Sequence, residues 1–153
     1  MQKNLIQIYL LGAVLLLALP SVAHAQFQIA TNNGTITIVK YNGSGGAVII
    51  PDTINGLPVT RIETNAVYGY YPHVTSVTIG TNVTSVGSFA FANNSPGLTN
   101  VTVGNSVTNI GDATFYYCNA LRSVSLGTNI TSIGTNAFYE CYSLSSLKIP
   151  NSV

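Results

Sequence analysis

A self-similarity of 24, 23 and 23 residues runs through most of the chain and restricts it to architectures in which one unit stacks on the next. Three full units occupy residues 74–97 (VTSVTIGTNVTSVGSFAFANNSPG), 98–120 (LTNVTVGNSVTNIGDATFYYCNA) and 121–143 (LRSVSLGTNITSIGTNAFYECYS), and a truncated one occupies 144–153 (LSSLKIPNSV). Residues 48–73 read as a degenerate capping unit, with Val48, Ile50, Val59, Ile62 and Val67 in the apolar columns around an inserted loop, Asp52 to Pro58. One unit of this size cannot bury its apolar positions alone. Stacked units share a continuous core whose stability comes from contacts between neighbours.

The columns predict three segments per unit. Leu121, Val124 and Leu126 end on period-two spacing, as do Val74/Val77/Ile79, Leu98/Val101/Val103 and Leu144/Leu147/Ile149, so each unit opens with a half-buried strand that pairs in parallel with its neighbours. Gly80, Gly104 and Gly127, with Pro51 and Pro150 in the flanking units, stop the strand. A second short strand follows at Val83/Val86, Val107/Ile110 and Ile130/Ile133, closed by Gly87, Gly111 and Gly134. Phe91, Phe115 and Phe138 then sit in a stretch long enough for about one helical turn.

Residues 1–25 are set aside as a signal peptide: Lys3 starts it, Ile8 to Leu19 is apolar, Pro20 breaks the run, and Ala23-His24-Ala25 is a cleavage signature before Gln26. The apolar run of about 12 residues is short of the roughly 20 needed to span a bilayer, so no membrane insertion is expected after cleavage. Gln26 with no adjacent Cys offers no site for a lipid anchor. Residues 26–47 read as a cap: Phe27 to Thr31 and Thr35 to Val39 flank Asn32-Asn33-Gly34 as a hairpin that covers the N-terminal end of the stack. Residues 74–153 are the repeat array. The break at Val153, in mid-unit, suggests an N-terminal fragment of a longer protein.

Residues 98–143, with their recurring Leu, Val, Gly, Phe and Cys columns, resemble the BspA-type leucine-rich repeats of bacterial surface proteins. The leader segments Asn33-Gly34-Thr35-Ile36-Thr37-Ile38 and Gly45-Gly46-Ala47-Val48-Ile49-Ile50-Pro51 are similar to those that introduce such arrays. The resemblance implies a right-handed leucine-rich-repeat solenoid, mainly β, with a parallel ladder, a second short strand and a short helical turn per unit. It also implies an exported protein, secreted or held at the cell surface (outer surface or periplasm in a bacterium), that serves adhesion and macromolecular recognition. No catalytic residue defines that family, so none is carried over.

Composition narrows the chemistry further. Charged residues make up 6% of the chain against about 25% in an ordinary soluble domain, while Ser, Thr and Asn number 14, 17 and 16. After the leader is removed, Lys40, Arg61, Arg122 and Lys148 face Asp52, Glu63, Asp112 and Glu140, so the mature segment is formally neutral. With no basic stripe, nucleic acid is excluded as a partner. The four carboxylates are far apart in sequence, His73 stands alone in the mature chain, and no Lys follows the paired glycines. Neither a general acid/base pair, a metal site nor a phosphate loop can be assembled, so neither catalysis nor a cofactor is expected. Asp112, after a glycine, reads as a turn or cap group and His73 as a loop residue. Cys118 and Cys141 share one column on adjacent units. We read them as unpaired core residues rather than a disulfide, although an exported protein could keep one.

If the strand columns point inward, then Ser76, Thr78, Asn100, Thr102, Ser123, Ser125, Ser146 and Lys148 point outward on a concave sheet. This nearly uncharged row suits hydrogen bonding to a peptide backbone or glycan. A second candidate surface lies opposite, at Tyr68, Tyr70, Tyr71, Tyr116, Tyr117, Tyr139 and Tyr142. The expected function is binding of an extracellular protein or polysaccharide. The competing expectation is a passive spacer or scaffold for a downstream catalytic or anchoring domain.

Overall fold

The computed structural model describes residues 26–69, 74–94 and 96–153, so the segment 1–25 expected to be a signal peptide, Tyr70, Tyr71 and His73 lie outside the described residues. The described residues wind through about four turns of a β-solenoid built from parallel strands with almost no helix. In chain order the strands are β1 (Phe27–Asn32), β2 (Thr35–Tyr41), β3 (Gly46–Ile50), β4 (Thr53–Ile54), β5 (Leu57–Ile62), β6 (Val74–Ile79), β7 (Ser85–Val86), β8 (Asn100–Thr102), β9 (Asn109–Ile110), β10 (Ser123–Ser125) and β11 (Ser132–Ile133).

Two ladders run along the stack. One sheet has the order β10-β8-β6-β3, all parallel, and aligns Val48, Val77, Val101 and Val124 in one inward row. The other has the order β1-β2-β5-β7-β9-β11 and aligns Ile62, Val86, Ile110 and Ile133. Between the sheets these rows form the core with Leu98, Leu121, Phe91 and Phe115, and each fully buried side chain of this kind contributes about 1.5 to 3 kcal/mol.

The hairpin forms the N-terminal end. β1 and β2 pair antiparallel across Asn33-Gly34, both at positive φ (48° and 75°), and β2 continues the second ladder by pairing in parallel with β5. The inserted loop at 52–58 is itself a small hairpin, β4 against β5, turning at Asn55-Gly56 with φ of 53° and 75°. Asn-Gly in this conformation matches the twist of the flanking strands.

The expected helical turn is not formed. Residues 112–117 and 135–140 are runs of turns instead, and they make a third line of hydrogen bonds between coils. Phe89, Phe91 and Asn93 donate their backbone N–H to Asp112, Thr114 and Tyr116, and Ala113, Phe115 and Tyr117 donate to Thr135, Ala137 and Tyr139, all at 2.8 to 3.0 Å. To aim these groups along the stack, two residues per coil adopt left-handed φ: Phe89 and Asn93, Ala113 and Tyr117, Asn136 and Glu140. A helix would turn the same groups onto their own coil. The Phe rings follow this line, with Phe91 and Phe115 stacked at 5.5 Å and Phe115 and Phe138 at 5.2 Å.

The glycine columns have a steric reason rather than a conformational one. None of Gly80, Gly104, Gly87 or Gly111 has a left-handed φ, but a Cβ at Gly104 would lie 2.7 Å from the Gly80 carbonyl oxygen and one at Gly111 would lie 2.6 Å from the Ser88 nitrogen. Successive coils touch backbone to backbone there. Polar side chains tie the corners: Asp112 Oδ1 accepts from the Thr135 N–H at 2.8 Å, and Asn105 Oδ1 accepts from that of Thr128 at 3.1 Å. Residues 144–153 form no strand, so the first ladder ends at β10, and Leu144 and Leu147 are only half-buried.

Candidate functional site

The outer face of the β3/β6/β8/β10 sheet is generated by the alternation that buries Val77, Ile79, Val101 and Val103. Register places Ser76, Asn100 and Ser123 side by side in one row and Thr78, Thr102 and Ser125 in the next. Parallel neighbours are about 4.8 Å apart, so the six side chains make a closely spaced two-row array. All are exposed except Ser76, which is half-buried. Ser146 and Lys148 are exposed but belong to no strand, so the ladder does not bring them into the array.

What sets this array apart is what its hydroxyls do. Elsewhere in the fold threonine hydroxyls are consumed by backbone carbonyls: Thr84 Oγ1 donates to Thr60, Thr108 to Thr84 and Thr131 to Thr108, at 3.1 to 3.2 Å. Thr99 Oγ1 donates to Thr75 at 3.0 Å and accepts from Asn100 Nδ2 at 2.8 Å. The side chains of Thr78, Thr102, Ser123 and Ser125 make no hydrogen bond to any of the described residues. They retain their full donor and acceptor capacity for a partner.

The array continues into β3, which was not among the sequence-derived positions. Ala47 pairs beside Ser76 and Ile49 beside Thr78, and Ile49 is 63% exposed, so the hydroxyl rows end on an apolar step. The signal was present in the alternation of Val48 and Ile50, which leaves Ile49 facing out.

The tyrosine surface is a stack with a polar edge. Tyr116 and Tyr139 stack at 5.4 Å, Tyr117 contacts Tyr116 at 4.7 Å, and Phe89 meets the edge of Tyr116 at 6.4 Å. Asn93 Nδ2 donates to the Tyr68 hydroxyl at 2.7 Å. The Glu140 carboxylate beside the Tyr117 and Tyr142 hydroxyls raises the pKa of both, first as a hydrogen-bond acceptor for the protonated phenol, then through its charge at Tyr117 and through desolvation ahead of its charge at Tyr142. Phe89, absent from the sequence-derived set, is as open to solvent as Tyr117.

The remaining carboxylates have structural partners. Glu63 pairs with Arg61 at 3.0 Å, and Asp52 Oδ1 accepts from the Thr81 hydroxyl at 3.0 Å. Among the described residues no three His, Cys, Asp or Glu side chains gather where they could hold a metal ion. Cys118 and Cys141 are free buried thiols.

The family model for the BspA type leucine rich repeat region matches residues 47–153 in six copies. Among solved structures, the chain is similar to a T. pallidum leucine rich repeat protein (TpLRR), with a TM-score of 0.79 and 30% identity over 84% of this chain and 60% of that one. It is also similar to a leucine rich cell surface protein from Faecalibacterium prausnitzii A2-165, with a TM-score of 0.49 and 25% identity over 79% of this chain and 52% of that one. The chain therefore spans less than two thirds of either protein. No curated protein sequence matches it significantly.

Proposed function

We propose a function from the premise that the chain belongs to the BspA-type leucine rich repeat family: it is an exported recognition module, secreted or held at the cell surface, that binds an extracellular protein or polysaccharide without catalysis. The observation that carries this is the contrast between two sets of hydroxyls. Those at the coil corners are spent on the fold, whereas Thr78, Thr102, Ser123 and Ser125 on the outer sheet face are not. A passive spacer has no use for a closely spaced row of unengaged donors and acceptors, while a hydrogen-bonding polymer lying across the strands does. The near absence of charge on the array gives it little long-range steering, so its selectivity comes from short-range geometry.

The test is capture of glycans and extracellular proteins from arrays by the purified chain and by the Asn100→Lys/Ser123→Lys double variant. Both side chains are exposed, so thermal unfolding should change little. Capture by the parent chain that is lost in the variant supports the assignment. Equal capture by both moves the site off this face, and no capture by the parent favours the spacer.

A further inference from the structure

The cluster around Glu140 has a chemistry that the hydroxyl array lacks. Tyr117 and Glu140 occupy the same position on successive coils, both at left-handed φ (59° and 58°), and the Tyr117 N–H bonds to the Tyr139 carbonyl at 3.0 Å. This brings Tyr117 and Tyr142 beside the Glu140 carboxylate, with Tyr139 preceding it in the chain. The rings are open to solvent: Tyr117 is 37%, Tyr139 50% and Tyr142 73% exposed. Tyr116 backs the group, stacking on Tyr139 and tilting against Tyr117. The only ion pair among the described residues is Arg61 with Glu63, so Glu140 has phenolic hydroxyls beside it but no ion-pair partner among the described residues.

We propose that Tyr117, Tyr139, Tyr142 and Glu140 form a docking site for a cationic side chain, an arginine of an extracellular polypeptide, on a surface separate from the hydroxyl array. Electron-rich ring faces attract a cation placed over them, and a guanidinium stacks on aromatic planes while its N–H groups match a carboxylate. Charge decides between occupants. A neutral sugar would use the ring faces and would tolerate loss of the carboxylate charge, whereas a guanidinium needs both. In a chain with so few charged residues, one carboxylate among exposed tyrosines and without an ion-pair partner among the described residues complements a cation. The inference goes beyond the proposed function and does not depend on where that ligand binds.

The test follows the tyrosine ring signals by NMR during titration with acetyl-Gly-Arg-Gly-amide and with the peptide in which neutral citrulline replaces arginine. Saturable shifts at Tyr117, Tyr139 and Tyr142 with the arginine peptide, weak or absent shifts with citrulline, and attenuation by added salt are expected. Glu140→Gln should weaken the arginine peptide at least about threefold, and Tyr142→Ala should do the same without lowering the unfolding temperature. Equal responses to the two peptides, no response to arginine, or an unchanged Glu140→Gln would overturn the proposal. A response to a soluble β-glucan oligosaccharide that survives Glu140→Gln would reassign the cluster to carbohydrate.

Discussion

The Cys118 thiol donates a hydrogen bond of 3.2 Å to the carbonyl oxygen of Phe91 on the preceding coil. Cys141 does the same to Phe115 at 3.2 Å, and Asn94, which takes this position one coil earlier, donates its amide to the Val67 carbonyl at 2.7 Å. The column thus selects a small buried donor for a carbonyl at the Phe position of the coil before it, and Cys and Asn both qualify. Both thiols point at backbone oxygens, consistent with their free state.

Reactivity and pH dependence follow from that burial. Desolvation pushes Cys118 up to about 12 and Cys141 to about 11, from the ordinary 9.0. A thiol-specific chromogenic reagent near neutral pH should find no reactive thiol in the native protein and two in denaturant without reductant. A disulfide would leave none in either. Both folded values lie above the unfolded one, so the stability they contribute is complete below pH 9.0 and is lost as pH rises toward 11 and 12. Urea denaturation at several pH values should show a shallower alkaline decline in Cys118→Ala than in the parent chain. At neutral pH that variant should lose about 0.5 to 1.5 kcal/mol for the thiol hydrogen bond, because the Phe91 carbonyl keeps the Asn94 amide as a donor at 2.8 Å.

The backbone contact at the glycine columns predicts a large steric penalty. Gly111→Ala places a methyl group against the backbone of Ser88, whose carbonyl is held by the Asn65 N–H of the preceding coil at 3.2 Å, so neither side yields easily. We expect a loss of about 3 kcal/mol or failure to fold. Gly56→Ala is the control. Nothing lies within 4 Å of the added Cβ there, and the cost is the left-handed φ of 75° alone, about 1 to 2 kcal/mol. Denaturant midpoints that rank the two variants in the opposite order would contradict the stacking argument.

Thr108 and Thr102 lie six residues apart and should respond in opposite ways to replacement by valine. Thr108 Oγ1 donates to Thr84 O at 3.2 Å, so Thr108→Val should lower stability by about 0.5 to 1.5 kcal/mol and leave ligand capture intact. The Thr102 side chain has no hydrogen bond to the described residues, so Thr102→Val should keep stability within about 0.5 kcal/mol and reduce capture. Calorimetry and array binding on the same two variants read both effects.

The repeat period made the solenoid and both parallel ladders legible, because an apolar column that recurs at constant spacing has one economical use, an inward row. Asn33-Gly34 likewise announced its hairpin. The helical turn was misread for a physical reason: Ala137-Phe138 and its equivalents carry helix-compatible residues, but the backbone satisfies its N–H groups on the neighbouring coil, an option invisible within one unit. The glycine columns do open turns, as the sequence suggests, but without a left-handed φ, so what demands glycine there is the close approach of successive coils, which the sequence of one unit does not show. Asn55-Gly56 was a hairpin signal inside a segment read as a loop. Of the eight positions on the proposed face, the ladder unites the six on β6, β8 and β10. Ser146 and Lys148 repeat the pattern, but their unit forms no strand.

The aromatic stack should show which coil the fold leans on most. Phe115 is fully buried and stacked on both sides, against Phe91 and Phe138, whereas Phe138 has a stacked partner on one side and is only partly buried. Phe115→Ala therefore removes two ring contacts and opens a cavity bounded by fixed coils, at a cost of about 3 to 5 kcal/mol. Phe138→Ala exposes a site that solvent already reaches, so its cost falls below that range. Because coils are coupled to nearest neighbours, Phe115→Ala should also raise hydrogen exchange in the turns at residues 88–93 and 135–140, while the β1/β2 hairpin keeps its protection. Uniform loss of protection across all coils would mean that the stack unfolds as one unit, without the local coupling that the three ladders imply.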